Sequence, residues 1–321
     1  MNILLTSIGI RSYLVDYFKS SGKVSNVFSA DNSSLAPGIY NSDKYFLVPK
    51  IDDVAYVTNI LDICVNNSVS ALIPLHDLDS LVLSREKLRF QDLGIKIFTP
   101  ENEVVEICFD KYKCYEFLRS HNIPVPKTYI DLQKVKQDIN EGLLSFPLIL
   151  KSRTGSASKG LQKLENVDDL NYFWSEKDTI IQELIDGVEY GVDALQLNSK
   201  DNYKVYIKKK LWMRAGETDK AVTSKNKIVY STICQLLEQL VILGPLDVDI
   251  VIKDNLGYII DINPRFGGGY SLSHEVGANF PKEIIKSLLN ESRLFDSNLK
   301  YDEGVIMMKH PQFTFFKGGL S

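Results

Sequence analysis

The sequence predicts a mixed α/β and α+β chain, with a small parallel α/β unit over residues 1–105 and paired strands with helices over residues 106–321. Two observations carry this. As far as residue 105, short apolar runs alternate with segments of helical period, the pattern of a parallel sheet covered by helices. Beyond the prolines of HNIPVP, strands come in pairs around Gly, Asn and Asp, and PLDVDIVIKDNLGYIIDINPRFGGG (245–269) sets carboxylates, an amide and an arginine into apolar strand sequence.

Residues 2–7 form an apolar strand, followed by Gly9 and the helical spacing of Tyr13, Leu14, Tyr17 and Phe18. A second strand, 24–29, leads to Asp31, where a dinucleotide-binding fold carries its ribose acid. The turn TSIGIRS nevertheless lacks the second and third glycines that let a pyrophosphate approach the backbone, so the dinucleotide reading is weak. Helix 54–66, strand 71–74, helix 78–90 and strand 96–99 complete the unit. His76, Asp77 and Asp79 follow a strand's carboxyl end, where open α/β sheets bind ligands; Asp77 reads equally as the N-cap of the next helix. Residues 103–120 read as one helix with Lys111 in its middle, closed by Pro124 and Pro126.

Three later stretches bear on chemistry. FPLILKSRTGSASKG (146–160) delivers Lys151 at a strand end and continues into small residues that turn backbone N–H groups toward phosphate, with Ser156, Ser158, Lys159 and Gly160 adding donors and charge. It lacks the Gly-Lys-Ser/Thr order of a Walker loop. TIIQELIDGVEYGVDA (179–194) reads either as a hairpin or as a link between lobes whose free backbone reads an adenine edge, with Glu189 suited to ribose hydroxyls. The strand 203–211 carries Lys204, Lys208, Lys209 and Lys210, read as protection of a sheet edge, and Arg214 and Lys220 flank a glycine turn where an anion could bind. An amphipathic helix over 225–243 then enters the 245–269 stretch.

In that stretch Asp254, Asn255 and Gly257 supply a turn, and a register centred near Asn255 sets Asp249 opposite Asp261. Asn263 shares the face of Asp261 because strand side chains alternate. Two facing carboxylates among Ile259, Ile260 and Ile262 call for a cation, and a few hard oxygen donors suit Mg²⁺ completed by phosphate oxygens. Arg265 can then fork onto a phosphoryl group.

The chain of 321 residues is 44% hydrophobic and 24% charged, with a formal charge of −4 and no long single-sign block, so neither nucleic acid nor an anionic membrane is indicated as a partner. The four cysteines and four histidines have no zinc spacing. The amino terminus meets Arg11 and Asp16 too early for a signal peptide, and a reduced, cytoplasmic location is expected.

Taken in order, FPLILKSRTGSASKG, IIQELIDGVEYGVDA, RAGETDKAV and DIVIKDNLGYIIDINPRFGGG resemble the ATP-grasp superfamily, in particular single-chain proteins similar to half of the carbamoyl phosphate synthase large subunit. The resemblance implies a small parallel domain (1–105) before an ATP-grasp domain (106–321) whose lobes, about 112–184 and 185–321, hold ATP between antiparallel sheets. It assigns ATP phosphates to Lys111, Lys151, Ser156, Ser158 and Gly160, adenine to Gln182, Glu183, Leu184 and Ile185, and ribose to Glu189. Mg²⁺ falls to Asp249, Asp261 and Asn263, catalysis to Arg265, Lys151 and Arg214, and the substrate pocket to Lys220, Gly267, Gly268 and Gly269. The implied activity is ADP-forming ligation of a small-molecule carboxylate, activated as an acyl phosphate, to an amine, under a lid of residues 152–160. A small-molecule kinase on the same fold and a non-catalytic nucleotide-binding protein are the alternatives. A homodimer is expected from the resemblance alone.

Overall fold

Strands buried on both faces read as continuous apolar runs, and the three central strands of the first sheet are such runs. In the computed structural model, which describes residues 1–155, 160–175, 177–214, 216–291, 293–295, 299–310 and 312–315, this sheet comprises β1 (Asn2–Thr6), β2 (Asn26–Asp31), β3 (Lys44–Leu47), β4 (Val69–Pro74) and β5 (Lys96–Ile97). All its pairings are parallel, in the order β3-β2-β1-β4-β5. The connecting helices are α1 (Ser12–Ser20), α2 (Tyr56–Asn66), α3 (Asp77–Ser84) and α4 (Lys87–Gln91). Alternate residues of β1 separate two cores: Leu4 packs with Tyr56, Ile60 and Phe90, whereas Ile3 and Leu5 pack with Leu14 and Phe18.

The second of these cores does not end at the domain boundary. Phe266, Tyr270, Phe280, Ile284 and Ile285 from the last third of the chain complete it, together with Leu195 and Tyr206. Burial of this shared apolar surface seats the first domain against the remainder.

The next elements are α5 (Asn102–Phe109), α6 (Lys111–Ser120), β6 (Thr128–Tyr129), α7 (Leu132–Asn140), β7 (Leu148–Ser152), β8 (Gln162–Leu164), α8 (Val167–Phe173) and β9 (Thr179–Glu183). Their four strands form an antiparallel sheet ordered β6-β9-β7-β8, packed around Val135, Leu148, Leu150 and Leu170. Then follow β10 (Val188–Gln196), β11 (Tyr203–Arg214), β12 (Glu217–Ser224), α9 (Lys227–Gln239), β13 (Gly244–Lys253), β14 (Leu256–Asn263), α10 (Tyr270–Glu275), α11 (Phe280–Leu288) and β15 (Ile306–Met308). The second antiparallel sheet is ordered β14-β13-β10-β11-β12-β15, with Ile233, Leu236 and Leu237 of α9 buried in its core. Among the described residues, no helix is long and apolar enough to cross a membrane.

Several expectations need correction. The helix over 103–120 is two helices: Asp110 is extended (φ −99°, ψ 106°) and its carboxylate caps α6 by accepting the N–H groups of Tyr112 and Lys113. Lys111 therefore opens a helix instead of sitting in the middle of one. The helix over 78–90 also divides, into α3 and α4, and its N-cap is His76, whose ring accepts the Leu78 N–H. Strand 96–99 is shorter, because Phe98 leaves the ladder after bonding Leu72. The amphipathic helix ends at Gln239. Residues 179–183 and 188–196 belong to different sheets, so the segment between them is a link and not a hairpin turn.

Candidate active site between the two antiparallel sheets

The β13–β14 turn consists of Asp254 and Asn255, both at positive φ (50° and 60°), the backbone that a two-residue hairpin turn of matching twist requires. Gly257 is not part of it. It pairs with Ile252 in the ladder, and a Cβ there would stand 2.5 Å from the Thr232 hydroxyl of α9. Continued from this turn without interruption, the ladder would oppose Asp249 with Ile260. A bulge intervenes: Ile250 pairs with Ile259 and Asp249 with Asp261, leaving Ile260 extra. Asp247 then opposes Asn263. The carboxylate pairing thus depends on one inserted residue, since a slip of one residue turns a side chain to the other face.

Lys151 and Lys111 provide the positive charge around Asp261. Burial pushes the Asp261 carboxyl up; Lys111 and Lys151 pull it down, while Asp249 and Asp77 push it further up. Burial likewise lowers the Lys151 ammonium, against the attraction of Asp261. Lys111 is held at both ends: its N–H donates to the Arg153 carbonyl (3.0 Å) and its Nζ to the Gly155 carbonyl (2.5 Å). Arg153 grips Asp110, with Nε 2.9 Å from each carboxylate oxygen and Nη2 2.7 Å from Oδ2. This fork ties the start of α6 to the loop after β7, and so fixes both lysines relative to each other.

Lys210 is a site residue that the sequence reading misassigns. β11 is an interior strand, not an edge; Lys208 and Lys210 reach acids on the adjacent β10, and Lys210 also an acid on β13 beyond it. The Lys210 side chain is only 4% exposed, and its Nζ lies 2.7 Å from Glu189 and 2.6 Å from Asp249. Burial alone would lower its pKa, but Asp249 and Glu189 together raise it strongly. One ammonium thereby joins the candidate ribose carboxylate to a candidate metal carboxylate. Lys208 forms a fully buried pair with Asp193, which also accepts the Ser273 hydroxyl.

Arg265 follows β14 and is buried. Its Nε lies 2.9 Å from Asp77 Oδ1 and its Nη2 donates to Asp77 Oδ2 at 3.0 Å, while Nη1 donates to the Phe266 carbonyl (3.0 Å) and lies 3.6 Å from Asp247. Asp77 is therefore a partner of this arginine across the domain boundary and not the plain helix cap. Burial and the neighbouring Asp249 charge push Asp247 up to about 7, against Lys208 and Arg265. The glycines that follow allow this packing. A Cβ on Gly267 would fall 2.4 Å from Asp247 Oδ1, one on Gly269 2.7 Å from Lys208 Cε, and one on Gly268 3.3 Å from Glu217 Cδ.

The remaining candidates are distributed as follows. Gln182 is buried, with its Nε2 donating to the Thr128 hydroxyl (2.9 Å), and Glu183 accepts the Lys127 N–H (3.2 Å). Leu184 and Ile185 lie in the link between the sheets. Gly160 has φ 69° and is exposed. Ser156, Ser158 and Lys159, and with them the middle of the expected lid (156–159), lie outside the described residues. Arg214 has a side chain 65% exposed and reaches Asp219 of its own hairpin at 3.1 Å. Lys220 is exposed on β12. Among the described residues, neither forms a hydrogen bond or ion pair with Asp249 or Asp261.

Among the described residues, no group of three or more His, Cys, Asp or Glu is placed to hold a metal ion. The donor set that fits Mg²⁺ is smaller: Asp261, whose carboxylate has no hydrogen-bond or ion-pair partner among the described residues, with Asn263 beside it and Asp249 opposite. A cavity of about 10 Å³ between Asp77, Gly155, Asp261 and Asn263 admits a species of roughly the size of one water. Few protein oxygens match the habit of Mg²⁺, which completes its shell with waters and phosphate oxygens.

Comparisons with known proteins bear on the family and the fold. A model described as a PylC-like N-terminal domain matches residues 3–98, and an ATP-grasp domain model matches residues 108–269, half of the chain. The chain is 25% identical over 199 residues to a carbamoyl-phosphate synthase of Methanobrevibacter smithii, covering 60% of this chain and 52% of that protein. It is 23% identical over 242 residues to a phosphoribosylamine–glycine ligase of Chlorobaculum tepidum, covering 70% of this chain and 54% of the relative. The chain thus spans about half the length of the curated relatives it matches. In fold it is similar to the MgADP-bound biotin carboxylase domain of Hydrogenobacter thermophilus 2-oxoglutarate carboxylase (TM-score 0.76, 14% identity, 95% of this chain and 73% of that one). It is also similar to N5-carboxyaminoimidazole synthetase of Staphylococcus aureus complexed with ADP (TM-score 0.74, 16% identity, 92% and 79%). With its matched domain occupying half of the sequence and its two antiparallel sheets facing a common set of lysines and carboxylates, the chain belongs to the ATP-grasp family.

Proposed function

We propose that the protein is an ADP-forming ligase that phosphorylates a small-molecule carboxylate with ATP and joins the resulting acyl group to an amine. The observation that carries this is the convergence of Lys111, Lys151, Asp249 and Asp261 around one point, with Arg265 close by on Asp77. Similarity to carbamoyl-phosphate synthase and phosphoribosylamine–glycine ligase supports the reaction class.

In this reading the link at Gln182–Ile185 receives adenine, Glu189 the ribose, and Lys111 and Lys151 the phosphates. Asp261, Asn263 and Asp249 would hold Mg²⁺, which when bound supplies charge neutralisation at the γ-phosphate. No side-chain nucleophile is required: the substrate carboxylate attacks the γ-phosphorus, and the bond to the β–γ bridging oxygen breaks as ADP leaves. Lys151 and Arg265 stabilise the negative charge spread over the transferring phosphoryl oxygens from fixed, desolvated positions. The amine then attacks the acyl carbon, loses a proton and displaces inorganic phosphate. Substrate recognition falls to the Gly267–Gly269 turn, Arg214, Lys220 and the first domain. A location in the cytoplasm and assembly as a homodimer belong to the same proposal.

The test incubates the protein with Mg²⁺, ATP, pooled carboxylic acids including amino acids, and hydroxylamine as a surrogate amine. ADP with a matching hydroxamate is expected, and its mass names the acid. ADP with a phosphorylated compound and no hydroxamate would replace the proposal with the kinase reading. Lys151→Ala and Asp261→Ala should abolish ADP formation while leaving the unfolding transition cooperative; normal turnover in either would remove the assignment.

A further inference from the structure

A cavity of about 780 Å³ opens at the free edge of the first sheet, away from every residue placed in the nucleotide site. Its walls come from both parts of the molecule: Ser84 and Arg85 after α3, the α4 and β5 region, and, from the far end of the chain, Leu197, Asn198, Leu243 and Ser287. That volume lies in the range of small-molecule sites, and junctions between domains are where such sites tend to occur.

The lining divides by chemistry. Leu88, Ile95, Ile97, Phe98, Leu197 and Leu243 give an apolar wall. Facing it are three cations, Arg85, Lys87 and Lys96, against a single acid, Glu101, among the described lining residues. Lys87 is paired with Glu101 at 2.6 Å, and Arg85 with Glu106 at 3.1 Å. Lys96 has no carboxylate partner among the described residues; its Nζ rests over the Phe98 ring, 4.9 Å from the centroid. Burial and the nearby charge of Lys87 both disfavour its ammonium form. A second polar group is also unsatisfied: Thr99 is 2% exposed and its Oγ1 has no hydrogen-bond partner, although buried hydroxyls are ordinarily paired. Lys87 and Lys96, with one carboxylate paired to Lys87, beside an unpartnered hydroxyl and a wall of apolar carbon, are complementary to an anion that carries its own apolar body.

We propose that this cavity binds a small organic anion, a carboxylate or phosphate on an aromatic or aliphatic body, with the anionic group at Lys96 and Lys87 and the body against Phe98 and Leu243. Because the walls belong to both domains, the ligand adds contacts across the same junction that Asp77 and Arg265 span, and its occupancy stabilises the docked arrangement. The inference is independent of the reaction proposed above.

Isothermal titration of the full chain with phenyl phosphate and with phenylacetate, and with benzyl alcohol as the uncharged control, tests this. All titrations contain saturating MgADP, so that the nucleotide site is closed to the probes. Saturable binding of at least one anion is expected, with none of benzyl alcohol, and whichever anion binds tells phosphate from carboxylate. Lys96→Met should weaken it by about tenfold, the loss of one partly desolvated charge contact. Leu88→Trp, a change at a residue 76% exposed on the rim, should block it without endangering the fold. Absence of binding by both anions in the presence of MgADP, or equal binding by all variants, would each overturn the proposal.

Discussion

Removal of the Asp77–Arg265 pair tests whether the first domain positions the chemistry of the second. The two side chains are 8% and 10% exposed and meet through two contacts, 2.9 and 3.0 Å. Breaking a buried ion pair by deleting one partner costs roughly 3–5 kcal/mol, because a charge is left without compensation. Here the cost of Asp77→Ala should be nearer 2–3 kcal/mol, since the orphaned guanidinium keeps the Phe266 carbonyl and Asp247 and those contacts recover part of the loss. Arg265→Met should cost a similar amount, as it strands Asp77 and leaves Asp247 facing Asp249 with less positive charge. The double variant should lose less than the sum of the two, by about 2 kcal/mol, as expected for groups in direct contact. Urea unfolding of the four proteins at pH 7, with shared slopes, gives the coupling. A coupling below about 0.5 kcal/mol, the level seen for unconnected sites, would mean that the pair joins nothing. Asp77→Ala should at the same time leave ADP affinity unchanged, because Asp77 is assigned to no nucleotide contact; a large loss of affinity would place its role elsewhere.

Three further outcomes follow from other parts of the site. Lys210→Met leaves Glu189 and Asp249 without their common ammonium, and because Glu189 is 40% exposed the loss should be about 1–3 kcal/mol; a transition midpoint in urea equal to wild type would show the bridge to be idle. Gly267→Ala drives a methyl group to 2.4 Å from Asp247 Oδ1 and should destabilise by about 1–3 kcal/mol through forced displacement, and Asp247→Gly should then cost less in the Gly267→Ala background than in wild type; equal costs in the two backgrounds would refute the steric account. For Asp110, burial raises the carboxyl but Arg153 and the capped N–H groups more than offset it, so in the folded chain it titrates below its ordinary value. The stability it contributes is present above the unfolded pKa and is lost as pH falls through the folded one. Arg153→Met should therefore flatten the fall in thermal midpoint below about pH 4, and a profile parallel to wild type would exclude the pair from acid stability.

How far the sequence could be read depended on whether the determining interaction was local. The parallel first domain and the β13–β14 hairpin are set by apolar period and turn residues within about ten positions, and the sequence states these directly, whereas the segment after β9 reads as a hairpin or a link until strand order is known. Asp110 was within reach as well: an aspartate whose carboxylate accepts the N–H groups two and three residues on is the ordinary signature of a helix start, hidden here because apolar spacing continues through it. The bulge at Ile260 lies beyond such reading, since β-branched residues on either side make every register look equally apolar. Lys210 and Asp77 are further still. The partners of Lys210 lie on β10 and β13, so its meaning depends on strand order, and Asp77 meets an arginine 188 residues away. A run of lysines on an edge strand would protect the edge; the same run on an interior strand must be neutralised by its neighbours or the sheet cannot close over it. In this chain the neutralising acids Glu189 and Asp249 are the very residues given to ribose and metal. The charge that neutralises Lys210 within the sheet is therefore drawn from the same groups that the proposal gives to nucleotide.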